Sequence, residues 1–321
     1  MGDLRLCTKC VLPETHETIA FDDHDGSCNI CKQSEFKHEN IDWDQKKKDL
    51  DELIVKYKGK YDYDCIIPFS GGKDSTFALY YLIKEYGLKP LVVRFDHGFL
   101  RSGVENNTKK VLRKLGADFH HYTPNWKVVQ KLMLQSFLEK GDFCWHCHTG
   151  ILTVPMQYAV RFKIPYVIYG ETLDILGMYK PEDFAEYTQR VRLEFSMRGY
   201  EWDEFIKNNK QGLTAKDMNW AKYPSDREII ENNVRGLFLG NFFKWDPNKN
   251  TKMIIKKYGW KPSKKKFERT YRKISNLDDI YENGIHDYLK FIKFGYGRTT
   301  DHSTKDILTG YMNRTKGINL V

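Results

Sequence analysis

Strand-like and helix-like patterns of apolar and polar residues alternate through the first half of the chain. Strand-like composition occurs at 65–69, 90–96, 118–122 and 166–169. Amphipathic helical spacing occurs at 46–58, 76–86, 103–115, 126–139 and 150–162. Gly87 and Gly116 follow two of these helical stretches, where a glycine often ends a helix. The alternation predicts an α/β fold with a doubly wound parallel sheet.

A polar loop, Ser-Gly-Gly-Lys-Asp-Ser at residues 70–75, joins the first predicted strand to its helix. Glycines let a backbone approach a ligand closely, and the N–H groups at a helix N-terminus favour anions. Lys73 adds a cation, and Ser70 and Ser75 add hydroxyl donors. The loop therefore predicts a phosphate-chain site rather than an ordinary turn. It is not a Walker A loop, because Ile67 stands where that motif needs glycine and an aspartate follows the lysine.

The carboxyl ends of parallel strands lie at one edge of a sheet, where α/β folds bind ligands. This edge should contain the loop just described, Asp96 after the second strand, and Gly170, Glu171 and Asp174 after the fourth. Asp96 would border an adenosine pocket or form a strand-end turn. Carboxylates opposite a triphosphate need a cation between them, so Glu171 and Asp174 are candidate ligands of Mg²⁺ or substrate. The alternative is that they cap a helix.

Two C-x-x-C pairs, Cys7/Cys10 and Cys28/Cys31, have the spacing of a structural four-thiolate zinc site. The segment between them is rich in turn-forming Asp and Gly, which allow the second pair to fold back on the first. A module of about forty residues is too small to build its own core, so bound metal would supply its folding free energy. An iron–sulfur cluster and unligated thiols are the alternatives.

A third C-x-x-C pair, Cys144 and Cys147, is followed directly by His148. The pattern matches c-type haem attachment, but its place inside a nucleotide-type fold without an export signal argues against haem. No cysteine follows Cys147, and Cys65 lies in a predicted buried strand, so a third thiol ligand is not evident. Three interpretations remain: a second metal site using Cys144, Cys147 and His148 or His146, a metal-free pair that contacts substrate, and packing.

Composition predicts a soluble, cytoplasmic protein without a membrane role. Hydrophobic residues are 40% and charged residues 30% of the chain, and no apolar run approaches the ~18 residues of a membrane span. Seven cysteines without a signal-peptide pattern favour metal binding or catalysis over disulfides. The net charge of +9 concentrates in residues 244–273, which hold twelve Lys or Arg. Such a stretch suits nucleic acid, an acidic partner or a polyphosphate, or is simply a solvated surface.

The 70–75 loop resembles the PP-loop of N-type ATP pyrophosphatases, which cleave ATP between its α- and β-phosphates and adenylate a carbonyl oxygen. Motifs in the last third of the chain narrow the resemblance; they lie at residues 239–246, 287–298 and 299–307. Together with the cysteine pairs, they resemble the N-acetyl sugar amidotransferases of surface-polysaccharide and nonulosonate biosynthesis. The resemblance covers essentially the whole chain. It departs at Asn241, where an acidic residue is expected, and at Leu308, where arginine is expected.

This resemblance implies an ATP-dependent amidotransferase that converts a sugar N-acetyl group into an acetamidino group. ATP would adenylate the amide oxygen, ammonia would attack the activated carbon, and pyrophosphate and AMP would leave. The implied ATP-binding residues are Ser70, Gly71, Gly72, Lys73, Asp74, Ser75, Asp96, Gly170 and Glu171. The implied catalytic residues are Lys73, Asp74, Asp174 and Arg298. Asp74 and Asp174 would act through Mg²⁺, and Arg298 would stabilise charge, unless it forms a structural salt bridge to Asp301 or Asp306.

The resemblance also implies partners and domains. ATP, Mg²⁺ and Zn²⁺ would be the cofactors, and an acetamido sugar or nucleotide sugar the substrate. Ammonia would come from a separate glutaminase (HisH-like) with a cyclase-like (HisF-like) subunit, because no glutaminase nucleophile is apparent. The expected domains are a zinc-binding knuckle module at 1–43, a PP-loop ATP pyrophosphatase domain at 44–185 and an α-rich carboxyl-terminal region at 186–321.

The main alternative is a PP-loop tRNA-modifying enzyme, either a thiolase or a lysidine-type ligase. Thiolases of the same superfamily bind an iron–sulfur cluster at a C-x-x-C in this part of the sheet, and the basic stretch 244–273 would suit RNA. Nucleic acid is nevertheless the less favoured partner. A non-catalytic zinc-ribbon scaffold that docks a glutaminase is a third interpretation, but a complete phosphate loop would be unusual in a scaffold.

Overall fold

The sheet is the centre of this computed structural model, which describes residues 4–170, 199–208, 210–274 and 282–321. It has five parallel strands in the order β3-β2-β1-β4-β5. The strands are β1 (Cys65–Pro68), β2 (Pro90–Phe95), β3 (Asp118–Tyr122), β4 (Tyr166–Tyr169) and β5 (Arg235–Phe238). The predicted α/β fold with a parallel sheet is therefore confirmed.

Helices separate the strands, as the hydrophobic pattern predicts. They are α3 (Lys73–Lys84), α4 (Ser102–Leu115), α5 (Trp126–Lys140) and α6 (Trp145–Phe162), preceded by α1 (Asn29–Asn40) and α2 (Trp43–Tyr57). Gly116 ends α4 with φ +71°, as the position of that glycine suggests. From β1 the chain builds outward to β3 and then returns to place β4 on the other side of β1. This reversal makes the β1/β4 boundary the expected ligand site.

The hydrophobic core has two layers, one on each face of the sheet. On one face Ile66 and Val93 pack with residues of α5 and α6. On the other face Ile67 and Val92 pack with residues of α2, α3, α4 and a later helix. Alternate strand residues thus face opposite layers, and burial on both faces explains why the central strands read as apolar runs rather than alternating ones.

The carboxyl-terminal region is mainly helical but also contributes to the sheet. Its helices are α7 (Trp202–Lys207), α8 (Asp226–Glu231), α9 (Pro247–Tyr258), α10 (Glu282–Phe294), α11 (Arg298–Leu308) and α12 (Arg314–Leu320). β5 lies within the range predicted as the carboxyl-terminal region, so the sheet extends past residue 185. The pattern did not reveal this strand, because its four residues begin with arginine and glycine.

Helix α9 shows that part of the basic stretch 244–273 is folded. Asp246 accepts N–H bonds from Asn248 and Lys249 at its start, with a proline in its first turn, and Gly259 ends it with φ +65°. Its apolar side packs in the same core layer as α3. Among the described residues, no helix is both long and apolar enough to cross a membrane.

Candidate active site and metal centre

The 70–75 loop forms a tight turn between β1 and α3. Gly71 has φ +81°, and Gly72 is the N-cap of α3. The Gly72 N–H donates to Ser70 Oγ at 3.2 Å, and the Ser70 and Ser75 hydroxyl oxygens are 3.2 Å apart. The first N–H groups of a helix have no intrahelical acceptor, so the start of α3 can bind an anion.

Three donors hold the carbonyl groups on the other side of this turn. Arg94, in β2, donates from Nε to the Phe69 carbonyl at 3.1 Å and from Nη2 to the Ser70 carbonyl at 3.0 Å. Trp260 Nε1 donates to the Gly71 carbonyl at 3.0 Å. These hydrogen bonds fix the loop, because they bind three consecutive backbone carbonyl groups. The carbonyl oxygens of the turn are thereby already engaged as acceptors. Neither role was predicted from the sequence, although a charged Arg94 inside an apolar strand is unusual.

Gly71 is required by space as well as by its backbone angle. A Cβ atom at this position would lie 2.4 Å from Thr108 Oγ1, 2.7 Å from Arg94 Nη2 and 3.0 Å from Val104 Cγ1. Arg94 cannot withdraw easily, because it also pairs with Glu105 and Thr108. The loop therefore packs directly on its supporting residues.

Lys73 and Asp74 are buried at the start of α3. Their side chains are about nine-tenths buried, and Lys73 Nζ bonds to Asp74 Oδ2. The carboxylate of Asp74 thus positions the Lys73 ammonium group beside the loop. Two of the four predicted catalytic residues therefore lie together at the carboxyl end of β1.

Positive side chains surround His302, which lies on α11 in the carboxyl-terminal region. His302 is a buried imidazole whose Nδ1 lies 2.6 Å from Thr270 Oγ1. Burial, and to a lesser extent neighbouring positive charges, lower the pKa of His302 to about 2; these charges are, in falling order, Arg272, Lys305, Arg298 and Lys73. We call these four residues the cation cluster. Lys73 contributes least, so the direct link between the carboxyl-terminal region and the 70–75 loop is the bond from Trp260 to the Gly71 carbonyl.

Arg298 begins α11 and is held by a carboxylate. Its Nε donates to both oxygens of Asp287 at 3.1 and 3.2 Å, and Nη2 also bonds to Asp287. The Asp287 side chain is only 1% exposed, and Arg269 lies 3.6 Å from its second oxygen. The salt-bridge alternative named the wrong partners, since Asp301 binds Lys290 and Asp306 binds Arg272. The catalytic role of Arg298 stays a prediction.

Asp96 follows β2 at the predicted edge, and its carboxylate makes a turn. Oδ1 accepts the Gly98 N–H at 2.8 Å, and Oδ2 lies 3.6 Å from His121 Nε2. This is the strand-end geometry that sequence analysis gave as the alternative. A contact with adenosine stays a prediction.

Gly170 directly follows β4 and lies against α3. A Cβ there would be 3.0 Å from the Asp74 carbonyl oxygen and 3.0 Å from Ala78 Cβ. Close packing of β4 on the first turns of α3 therefore requires a small residue. Glu171 and Asp174, the candidate Mg²⁺ ligands, lie outside the described residues.

The four amino-terminal cysteines converge as their spacing predicts. Cys7, Cys10, Cys28 and Cys31 are at most 1% exposed, and their sulfur atoms lie within 4.8 Å of one another. The Cys7–Cys31 and Cys10–Cys28 sulfur distances are 3.7 and 3.8 Å. Tetrahedral Zn–S bonds of about 2.3 Å place sulfur atoms about 3.8 Å apart. The geometry therefore fits a single tetrahedral ion.

Backbone donors support this cluster. The N–H groups of Lys9, Cys10 and Cys28 point to the Cys7 sulfur at 3.4, 3.4 and 3.2 Å. Three N–H donors stabilise negative charge on the Cys7 sulfur, and thiolate is the form that binds metal.

The carboxyl terminus of the chain reaches back to the cysteine module. Arg314, at the start of α12, donates from Nε to the Cys7 and Cys10 carbonyls, both at 3.0 Å. Ile307 of α11 packs against the cysteine cluster, and Gly317 of α12 lies close to Ile307 and Val11. The spacing of the motifs did not predict this contact. Through it, the cysteine module supports α11 and α12, and α11 carries part of the cation cluster.

The two cysteines of the third C-x-x-C pair lie in different environments. Cys144 is buried and caps the N-terminus of α6, while Cys147 and His148 are half-buried in its first turn. In the described part of the chain, the group of side chains at Cys144 that lie close enough to share a metal ion consists of Asp142, Cys144 and His286. Cys65 is fully buried, and burial raises the pKa of its thiol. Cys65 is therefore not a candidate ligand.

The protein has a parallel α/β sheet, and the loop after its first strand resembles a PP-loop. Residues 253–321, from the middle of α9 to the end of α12, match the family model described as LPS biosynthesis protein WbpG-like, C-terminal domain. The resemblance to a polysaccharide-biosynthesis family is thereby confirmed for the carboxyl-terminal part of the chain. The matched range contains Trp260 and most of the cation cluster.

Two curated relatives come from Methanocaldococcus jannaschii. The uncharacterized protein MJ1599 is 27% identical over 208 residues, covering 63% of this chain and 69% of the relative. The uncharacterized protein MJ1638 is 22% identical over 147 residues, covering 45% of this chain and 54% of the relative. These matches show distant sequence similarity and carry no description of activity.

Two solved structures align with the chain at low similarity. The U34-tRNA thiolase NcsA from Methanococcus maripaludis with its [4Fe-4S] cluster has a TM-score of 0.35 and 15% identity. That alignment covers 97% of this chain and 87% of the thiolase. A predicted subunit of tRNA methyltransferase from M. jannaschii has a TM-score of 0.34 and 16% identity, with coverage of 74% and 93%. Neither assigns a function.

Proposed function

We propose that the protein is an AMP-forming, ATP-dependent amidotransferase that converts an acetamido group of a sugar or nucleotide sugar into an acetamidino group. The enzyme would act in the biosynthesis of bacterial-type surface polysaccharide, the pathway class named by the WbpG-like match. The 70–75 loop would bind ATP, and the carboxyl-terminal region would bind the sugar.

One observation carries this proposal: the WbpG-like region contacts the 70–75 loop directly. Trp260 donates to the Gly71 carbonyl at 3.0 Å. A site that combines an anion-binding turn with several cations suits a polyphosphate. The carboxyl-terminal region, which matches a model for LPS biosynthesis, would then determine which substrate receives the adenylyl group.

The reaction would proceed in two balanced steps. The amide oxygen attacks the α-phosphate of ATP, pyrophosphate leaves, and an adenylated imidate forms. Ammonia then attacks the imidate carbon, the C–O bond breaks, and AMP leaves with the original amide oxygen. Adenylation is needed because an amide carbon is a poor electrophile. The protein must therefore hold two reactants in line and neutralise the departing pyrophosphate.

We assign roles in this reaction to residues that the structure describes. Gly71, Gly72, Ser75 and the start of α3 would bind the β- and γ-phosphates through N–H and hydroxyl donors. Lys73 would exchange its bond to Asp74 for a phosphate oxygen. Asp74 would then be free to hold Mg²⁺, which neutralises phosphate charge.

The four-cysteine centre is proposed as a structural zinc site. Sulfur separations of 3.7 and 3.8 Å suit one tetrahedral ion, whereas a four-iron cluster held at its corners needs thiolates farther apart. Four thiolates leave no position for a reactant. Zinc would therefore stabilise the module against which Arg314 and Ile307 pack.

Ammonia supply is proposed to be external. A separate glutaminase with a cyclase-like subunit would deliver it. Cys144 does not suggest a glutaminase nucleophile, because the carboxylate of Asp142 and Cys144 Sγ both contact the same nitrogen of His286. We place the reaction in the cytoplasm, where ATP and nucleotide sugars are made.

The test is an assay with purified protein, MgATP, ammonium and a panel of acetamido nucleotide sugars. We expect AMP and a product in which NH has replaced one oxygen, detected by mass spectrometry. Lys73→Ala should reduce AMP formation at least about 100-fold, because the departing pyrophosphate loses a positioned cation. Lys84→Ala, at the exposed end of the same helix, is the matched control and should retain activity.

Two outcomes would count against this function. AMP release without any modified sugar in the panel would separate ATP cleavage from amidine formation. Tight tRNA binding with a steep salt dependence would instead support the tRNA-modifying alternative. Among the described residues, no contact specifically favours that alternative.

A further inference from the structure

Three side chains from distant parts of the chain converge at the N-terminus of α6. They are Asp142 in the loop before the helix, Cys144 at its N-cap and His286 on α10. His286 Nδ1 lies 3.4 Å from Cys144 Sγ and 2.9 Å from Asp142 Oδ2. All three ligand-type atoms lie within 4.8 Å of one another. The group is therefore close enough to share one ion.

The arrangement does not suit a cysteine nucleophile with a histidine base. In such a triad the nucleophile and the carboxylate bind opposite nitrogens of the imidazole, so that the ring can relay a proton. Here the sulfur and the carboxylate oxygen both approach Nδ1. One nitrogen cannot serve both partners in a relay, so a role in acid–base activation of Cys144 is disfavoured.

The same convergence suits metal coordination. Thiolate, imidazole and carboxylate are all zinc ligands, with bond lengths of about 2.0–2.3 Å that put tetrahedral donors about 3.3–3.6 Å apart. The observed 3.4 and 2.9 Å require only a small opening of the Asp142–His286 pair. Three protein ligands would leave one coordination position open, as in zinc sites that bind water or substrate.

We propose that Asp142, Cys144 and His286 form a second zinc site, separate from the four-cysteine centre and with an exchangeable fourth ligand. This assignment replaces Cys147 and His148 as the partners of Cys144. It does not depend on the proposed amidotransferase reaction.

The position of this site suggests what the ion does. His286 is followed on α10 by Asp287, the buried carboxylate that holds Arg298. The first turn of α6, which begins at Cys144, contacts the ligand-binding edge of the sheet. There His146 Nε2 lies 3.2 Å from the carbonyl oxygen of His97, a residue that follows β2. Zinc would therefore fix α10 to that edge and position Arg298. The open coordination position would take water or an oxygen or nitrogen atom of a substrate.

The test is the metal stoichiometry of the full-length protein, produced in medium with zinc and measured by inductively coupled plasma mass spectrometry. We expect two zinc ions per wild-type chain. Asp142→Asn, Cys144→Ser and His286→Gln should each retain only one. Cys147→Ser is the matched control, one turn along the same helix, and should retain two. Circular dichroism of each variant shows that loss of the ion does not reflect loss of the fold.

Cobalt substitution gives a second, independent measurement. The visible spectrum of the cobalt-loaded wild type, minus that of cobalt-loaded His286→Gln, should show a tetrahedral centre with a single thiolate. The proposal is overturned by one zinc ion per wild-type chain, or by iron with cluster absorbance. It is equally overturned if Cys147→Ser loses the second ion while His286→Gln keeps it.

Discussion

Replacing Gly71 with alanine should destabilise the protein and disable the loop for two separable reasons. The first is backbone strain, because a residue with a side chain at φ +81° costs about 1–2 kcal/mol. The second is the collision of the new Cβ with Thr108 Oγ1 at 2.4 Å and Arg94 Nη2 at 2.7 Å. Overpacking of this kind adds about 1–3 kcal/mol. We therefore expect a total loss of about 2–5 kcal/mol in the free energy of unfolding.

Gly116→Ala is the matched control for this substitution. Gly116 has φ +71°, but a Cβ there would meet nothing within 4 Å. It lies between α4 and β3, at the opposite edge of the sheet from the loop. This variant should therefore lose only the strain of about 1–2 kcal/mol and should bind ATP normally.

The assay is urea unfolding followed by tryptophan fluorescence, with ATP affinity measured separately by calorimetry. The difference between the two alanine variants isolates the collision, and it should be about 1–3 kcal/mol. Gly71→Ala should also weaken ATP binding, because Arg94 must move and with it the Phe69 and Ser70 carbonyls. Equal stability of the two variants, together with normal ATP binding, would refute the packing that we assign to the loop.

Three further predictions concern the carboxyl-terminal contacts. Asp287→Asn should destabilise the protein by about 2–3 kcal/mol in thermal or urea unfolding, because it leaves half-buried arginines without their carboxylate, while Asp203→Asn in an exposed pair should cost less than about 0.5 kcal/mol; equal effects would contradict the buried pair. The pKa of His302 is about 2 in the folded protein, whereas an unfolded histidine has a pKa of about 6.5. Protonation of His302 therefore favours the unfolded chain, and stability falls as the pH drops below about 6.5. Between pH 7 and pH 5 the loss is about 2 kcal/mol, and His302→Gln, but not the exposed His24→Gln, should reduce the slope of stability against pH; an unchanged slope would show that His302 is not buried in its neutral form. If the four-cysteine centre holds zinc as proposed, Arg314→Ala should release it to a chelator about 10–100-fold more readily, since the substitution removes two hydrogen bonds to the knuckle carbonyls. An unchanged release rate would argue against this supporting role.

Short-range features were predictable because their causes lie within a few residues. β3 and β4 have the predicted bounds, and the helices α3 to α6 are found where the apolar spacing puts them. The convergence of the four cysteines follows from the two C-x-x-C pairs, since this spacing is typical of a four-thiolate metal site. β5 escaped prediction, because four residues starting with Arg-Gly carry almost no pattern and the strand forms only by pairing with β4.

The amino-acid sequence by itself determined the parallel α/β fold, the 70–75 loop and the cysteine module, because each depends on local spacing and local backbone chemistry. The tertiary structure decided which distant side chains contact the loop and the cysteine residues. Trp260 reaches the Gly71 carbonyl across 189 residues, and His286 reaches Cys144 across 142. Arg314 binds the Cys7 carbonyl across 307 residues. Such contacts depend on how helices and sheet pack, and packing is set by the whole core rather than by any motif.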